Sequence, residues 1–322
     1  MKKTVIFFLL IGGCASVQTK LPDIPTSSLS NERETQETLA FGNIRELTER
    51  LHRVSAPIMQ ANTELCPKTR LDIGVATHSL EAYSKQMKPA AARELGAKDH
   101  PSIFNVLTGS TADQAGLRRG DVILDLKGAP LSASSKKFQT LLENSEESIR
   151  IKRGTRILPV KIDPQEICNY PVKLSLSSTV NAYASGRKIT MTAGMMNFVE
   201  DDDELALIVG HELGHNTMGH VRKIVTNFIL SAGGTRYTRP FESESDYVGM
   251  YYMVRAGYDP SNVEDFWRRL ALTNPKSVVR AKTHPTFPDR YLRIAATRDE
   301  INMKQNKGLP LLPNFKTGKV EP

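Results

Sequence analysis

The segment His211-Glu-Leu-Gly-His215 constrains this chain more than any other part of it. Two imidazoles four residues apart share a face only if the segment is helical, because positions i and i+4 are neighbours on a helix surface. Both rings can then reach one ion, and neutral imidazole suits zinc. Glu212, next to the first histidine, can approach a water at such an ion without being a ligand. The acidic run Asp201-Asp-Asp-Glu204 lies just ahead of the apolar Leu205 to Val209. There it can cap a helix and complement its dipole.

A catalytic zinc site needs three protein ligands and one open position, so a third ligand must come from elsewhere. A third histidine six residues beyond His215 would complete one familiar pattern, but Val221 stands there. His220 falls one residue short, where geometry from the same helix is poor, and reads as a surface group or as a support to a ligand. Phe241-Glu-Ser-Glu-Ser-Asp246 opens a second helical stretch running through Met253 and offers three acids within five positions. Glu242 and Asp246 share a face and Glu244 does not. One carboxylate of the pair can ligate the metal while the other accepts a hydrogen bond from a ligand histidine and orients it. Alone, the acidic run would be a solvated helix start; beside the paired histidines it predicts a metal centre.

These motifs resemble the zinc peptidase family of HtpX and the CAAX prenyl endopeptidases, especially its soluble periplasmic branch, over most of residues 170–300. The resemblance implies that Glu242 is the third ligand and that Asp246 supports a ligand from behind, with Ser245 in place of the usual Ala. Thr283-His284-Pro285 and Arg290 match a further segment of the family. His284 is thereby implied to approach the zinc, either closing the water position or stabilising the tetrahedral intermediate. Asn181-Ala182-Tyr183-Ala184, followed by Gly186, resembles the family's edge strand, where a substrate would pair in extended form. The reaction implied is hydrolysis of internal peptide bonds with one zinc ion per chain and Glu212 as the proton carrier. The substrates implied are unfolded or misassembled envelope proteins. The alternative is a periplasmic chaperone or outer-membrane assembly factor that holds such proteins with little or no proteolysis.

A chain of 322 residues has room for two cores. From Leu39 to Leu65, apolar residues at Ile44, Leu47, Leu51, Val54 and Ile58 keep helical spacing, interrupted by Pro57. From Leu71 to Ile162 the texture changes to short alternating runs with glycine turns, including Val122 to Leu126 and Ile149 to Ile151, with a helix around Phe138 to Leu142. The centre of this stretch, with Ala115-Gly-Leu117 and Gly120-Asp-Val-Ile123, resembles the signature of bacterial PDZ domains. A glycine-rich loop for a free C-terminal carboxylate has no clear counterpart, the nearest stretch being Asp72-Ile-Gly-Val75.

Beyond it, Val172 to Ala184 and Lys188 to Thr192 read as two strands joined at Ser185-Gly186, and Val221 to Leu230 is apolar enough to continue the core. The predicted class is α+β: a mainly helical peptidase domain with a small sheet, plus a β-rich PDZ-like domain. Its expected divisions are a signal peptide (1–13), a tether (14–38), N-terminal helices of the catalytic domain (39–66), the PDZ-like domain (67–165), the peptidase domain (166–305) and a disordered tail (306–322).

At the N-terminus, Lys2 and Lys3 precede the short apolar run ending at Ile11, far below the ~18 residues that span a bilayer. Ile11-Gly-Gly-Cys14 resembles a bacterial lipobox, which implies a lipid anchor on Cys14. Ala15 after it implies sorting to the outer membrane, facing the periplasm. In that oxidising compartment Cys66 and Cys168 are expected to pair, closing the neck of the PDZ-like module as an insertion. The net charge of +8 arises from 43 basic residues interleaved with 35 acidic ones. No nucleic-acid motif accompanies it, so it reads as a solvated surface.

Overall fold

The apolar spacing after Leu39 belongs to one long helix, α1 (Thr26–Ala61), with Leu51, Val54, Ile58 and Met59 on its buried side. The computed structural model describes residues 20–144, 148–230, 239–261, 263–273, 275 and 287–314. The signal peptide and Cys14 lie outside these residues. Residues 26–38, expected as part of a tether, are the exposed first turns of α1. They lack a buried face, which is why periodicity missed them, but they hold helix-forming residues and the i,i+4 bond from Gln36 to Glu32, 2.9 Å. Pro57 stays within the helix despite losing a backbone donor, because its neighbours Val54 and Ile58 are fully buried.

After α1, strand β1 (Thr69–Asp72) pairs antiparallel with β7 (Gln165–Cys168), Thr69 opposite Cys168. The Cys66–Cys168 disulfide closes this neck, with Cα atoms 5.6 Å apart. Between the two strands lie β2 (Val75–His78), α2 (Lys88–Leu95), β3 (Ser102–Val106), α3 (Thr111–Gln114), β4 (Val122–Leu124), α4 (Lys136–Asn144), β5 (Ser148–Arg153) and β6 (Arg156–Lys161). β2 pairs with β3, and β4, β5 and β6 form an antiparallel sheet in that order. Their main core joins Ile73, Ile103, Ile123, Phe138, Ile149 and Ile151 and includes no residue of α1, while a smaller cluster packs Ala90, Ala91 and Leu95 of α2 and Phe104 of β3 against Phe41 of α1.

The remaining chain returns to α1. β8 (Val172–Ser175), β9 (Ala182–Ala184) and β10 (Ile189–Thr192) make a three-stranded sheet ordered β8-β10-β9. The run 172–184, expected as one strand, is therefore two, on opposite sides of β10. Thr192 Oγ1 donates to the carbonyl of Thr179 or Asn181, 2.6 Å from each, fixing the bend between them. Helices α5 (Ala193–Phe198), α6 (Asp202–Thr217), α7 (His220–Leu230), α8 (Arg239–Arg255), α9 (Asp265–Thr273) and α10 (Phe287–Asn306) follow. One core unites Leu51, Val54 and Ile58 of α1 with Met191, Leu205, Leu213, Val248, Tyr251, Phe266 and Ile294. Apolar residues on either side of the β-rich stretch thus share a core from which that stretch is absent.

Two further expectations need correction. The described side chains of α7 are mostly exposed, with Val225 at 55%, so Val221 to Thr226 does not extend the core. The tail is ordered as far as Asn314: Leu311 and Leu312 pack on the core, Lys304 donates to the Leu312 carbonyl at 2.7 Å, and Arg255 to that of Leu311 at 3.0 Å. Composition marked this segment as polar, but two leucines and two cations suffice to dock it.

Candidate metal centre

Helix α6 starts as the acidic run predicts. Asp201 accepts from the Glu204 amide at 2.8 Å and Glu204 from that of Glu200 at 2.9 Å, two exposed donors satisfied at once. Arg50 of α1 pairs with Asp202 at 2.9 Å and fixes this end of the helix. From there α6 runs buried from Glu204 to Asn216.

Helix α8 crosses α6 with almost no side chain between the backbones. A Cβ on Gly210 would sit 2.5 Å from the Gly249 carbonyl oxygen, and one on Gly214 would lie 3.2 Å from Ser245 Cα. Such an approach needs Gly210, Gly214 and Gly249, with Ser245 beside them. It also carries Glu242 and Asp246 to the two histidines.

His211, His215 and Glu242 offer ligand atoms all within 4.8 Å of one another, and all three residues are buried. The two Nε2 atoms face each other at 3.1 Å, and each lies 3.5 Å from a Glu242 oxygen. The opposite ring nitrogens have acceptors of their own. His211 Nδ1 lies 2.9 Å from Asp246 Oδ1, and His215 Nδ1 lies 3.3 Å from His220 Nδ1. With each Nδ1 carrying the hydrogen, both Nε2 lone pairs point into the space beside the Glu242 carboxylate. Two imidazole nitrogens and one carboxylate are a donor set suited to zinc.

Asp246 is held in turn by the planar fork of Arg290, at 2.8 and 2.6 Å. The guanidinium also lies 3.5 Å over the Trp267 ring. Burial would raise the Asp246 carboxyl, but Arg290 and His211 outweigh it and hold the group below its ordinary range. Burial opposes charge on His211, yet the hydrogen bond and charge of Asp246 pull its pKa up to about 9 without a metal, so the Nε2 proton is the one a metal would displace. Because the Nδ1 hydrogen already goes to Asp246, Arg290 is a support for that carboxylate and not a donor to the ring.

Glu212 is buried between the two histidines on α6. Tyr183 lies in β9, at one edge of its sheet, flanked by Ala182 and Ala184 and preceded by Asn181. The β9–β10 turn is tied to α6, since the Gly186 amide donates to Asn216 Oδ1 at 2.7 Å and Asn216 Nδ2 to the Lys188 carbonyl at 3.3 Å. His284 lies outside the described residues.

Two residues, His220 and Glu244, sit closer to the site than their spacing suggests. His220 is fully buried: Gly219, with φ +68°, ends α6 and turns the chain so that His220 opens α7, folded back against His215. Its ring stacks on Phe241 at 4.8 Å. Glu244, on the other side of α8 from the ligand face, accepts from His220 Nε2 at 2.7 Å. The spacing of Gly210 and Gly214 against Ser245 and Gly249 was the overlooked signal, because a small residue every fourth position marks a close helix crossing.

Comparison with known proteins places this site in context. The model of Peptidase family M48 matches residues 159–232 and 223–300. Mitochondrial metalloendopeptidase OMA1 of Schizosaccharomyces pombe is 25% identical over 172 residues, 43% of this chain and 51% of that protein. The chain thus spans about half the length of that relative. Metalloprotease LoiP of Escherichia coli is 25% identical over 181 residues, 47% of this chain and 70% of LoiP. Serine protease HTRA1 of Xenopus laevis is 31% identical over 88 residues, 27% of this chain and 18% of that protein.

Proposed function

We propose that this chain, which carries a domain of peptidase family M48, is a zinc-dependent endopeptidase that cuts unfolded or misassembled proteins of the cell envelope. The observation that carries the reading is the convergence of His211 Nε2, His215 Nε2 and the Glu242 carboxylate at one buried point, with the buried Glu212 next to His211 in the sequence. These three residues would hold the metal. When bound, zinc supplies Lewis-acid polarisation of the scissile carbonyl and acidifies the attacking water.

The chain's own groups do the rest. Glu212 takes a proton from the water and passes it to the leaving amine, as a carboxylate adjacent to the reacting atoms can. Asp246 and Arg290 fix the His211 ring with its Nδ1 hydrogen bonded away from the site, leaving Nε2 free to ligate. The edge of β9 around Tyr183 offers an extended substrate a strand to pair with, and Asn216 ties that strand to the metal helix.

The segment from Ile11 to Cys14 supports a lipid anchor at the membrane surface, and no helix among the described residues is long and apolar enough to cross a membrane. The 67–165 module, tied at its neck by the cystine, is read as a PDZ-like accessory that presents substrate. The test is metal analysis of the purified protein combined with peptide mapping after incubation with a denatured outer-membrane protein. Internal cleavage that stops with a chelator and returns with zinc is the expected result. Stoichiometric zinc with an intact substrate would move the reading to a holding function.

A further inference from the structure

The three acids of α8 include one, Glu244, that neither the ligand set nor the support of His211 uses. It lies near the metal centre and ends a chain of contacts. Glu244 Oε2 is 2.7 Å from His220 Nε2, and His220 Nδ1 is 3.3 Å from His215 Nδ1. Ser245 Oγ lies 3.1 Å from the same His220 nitrogen.

Hydrogen placement along this chain has one consistent solution. His215 turns Nε2 toward Glu242, so as a ligand it must keep its hydrogen on Nδ1, and that hydrogen needs an acceptor. Within bonding distance of His215 Nδ1 stands the Nδ1 of His220, which must then carry a lone pair. A neutral His220 with a bare Nδ1 has its hydrogen on Nε2, where the Glu244 carboxylate receives it. A His220 with hydrogens on both nitrogens would set two N–H groups against each other. The Ser245 hydroxyl can share the same lone pair as a second donor, so the serine where the resembled family has alanine touches the relay directly.

We propose that His220 is a positioning residue for the metal ligand His215, itself oriented by Glu244, so that the two ligand histidines are supported differently: His211 by Asp246 directly and His215 through an interposed imidazole. The inference rests on His211, His215 and Glu242 being the metal ligands. Partners of this kind fix ring orientation and tautomer, and their loss typically lowers metal affinity by about 10–100-fold.

The experiment measures zinc affinity of the full chain by competition with a chromophoric chelator, alongside thermal melting of the metal-free protein. Wild type, His220→Phe, Glu244→Gln, their double variant and His211→Ala are compared. Phe keeps the ring stacked on Phe241 and removes the acceptor. The relay predicts about 10–100-fold weaker zinc binding for His220→Phe, a smaller loss for Glu244→Gln, and a double variant no weaker than His220→Phe, because Glu244 acts only through His220. Metal-free melting of Glu244→Gln should stay near wild type, separating a positioning effect from a folding defect. Should His220→Phe fail to fold, Glu244→Ala, which leaves His220 Nε2 without its acceptor, decides, since unchanged zinc affinity in it overturns the relay. Wild-type zinc affinity retained in His220→Phe overturns the relay while leaving the metal centre intact, provided His211→Ala has lost the metal. Failure of wild type itself to bind zinc overturns the ligand assignment and the relay together.

Discussion

Gly249 lies so close to α6 that a Cβ added to it would stand 2.7 Å from the His211 backbone nitrogen. Helix α8 reaches the histidines through this approach, so the ligand from α8 depends on a residue with no side chain.

Gly249→Ala is therefore expected to push the helices apart, costing about 3 kcal/mol and weakening zinc retention in the same variant. Gly42→Ala is the control: no atom lies within 4 Å of the added carbon on α1, so it should stabilise by about 0.5–1 kcal/mol. Urea titration with parallel metal analysis checks both. A Gly249→Ala protein with native stability and full zinc would contradict the crossing as described.

The cystine joins residues 102 positions apart in the chain, between α1 and the β8–β10 sheet. Cys66→Ser with Cys168→Ser should cost about 2–4 kcal/mol, read as a lower denaturant midpoint under non-reducing conditions, with reductant lowering the wild type to match.

His78 gives the inserted module a pH dependence. Burial, followed by Arg119 and Lys98, lowers its pKa from 6.5 to about 4, while Nδ1 stays 2.9 Å from the Tyr83 hydroxyl. The unfolded chain therefore binds more protons than the folded one between pH 6.5 and 4. Stability is complete above 6.5 and falls as the pH drops through that window. His78→Phe should flatten this part of the profile, measured as melting temperature against pH; an unchanged slope would assign it to other groups.

At the mouth of that module the Asp72 carboxylate accepts the Gly74 amide at 2.8 Å and pairs with Arg70 at 2.9 Å. In the stretch nearest to a carboxylate-binding loop, the Gly74 amide is thus already satisfied by the chain's own carboxylate. Wild type should bind peptides ending in acid or amide alike, and Asp72→Ala should favour the acid by roughly tenfold, by fluorescence polarisation. A wild type that already prefers the acid would contradict this.

The parts of the site legible in the sequence were those written as spacing. Helical periodicity applied to two short segments pairs His211 with His215 and Glu242 with Asp246, the family resemblance singles out Glu242 as the ligand and Asp246 as its neighbour's support, and Asp201 follows from capping chemistry. His220 was discounted because continuing α6 past Thr217 points it elsewhere; the left-handed turn at Gly219 that brings it back depends on tertiary packing. Residues 26–38 and 307–314 were misjudged for one reason, that periodicity sees burial and neither segment has a continuous buried face. The break between β8 and β9 came from Thr192 binding carbonyls across the chain, a contact no local pattern encodes.

The central claim is that one metal held by His211, His215 and Glu242 works with Glu212 as the proton carrier. It is tested most directly by zinc content and casein cleavage measured together for wild type, Glu212→Gln and His211→Ala. The account predicts that Glu212→Gln keeps its zinc and loses cleavage by at least about a hundredfold, while His211→Ala loses both. Full proteolysis by Glu212→Gln would contradict it.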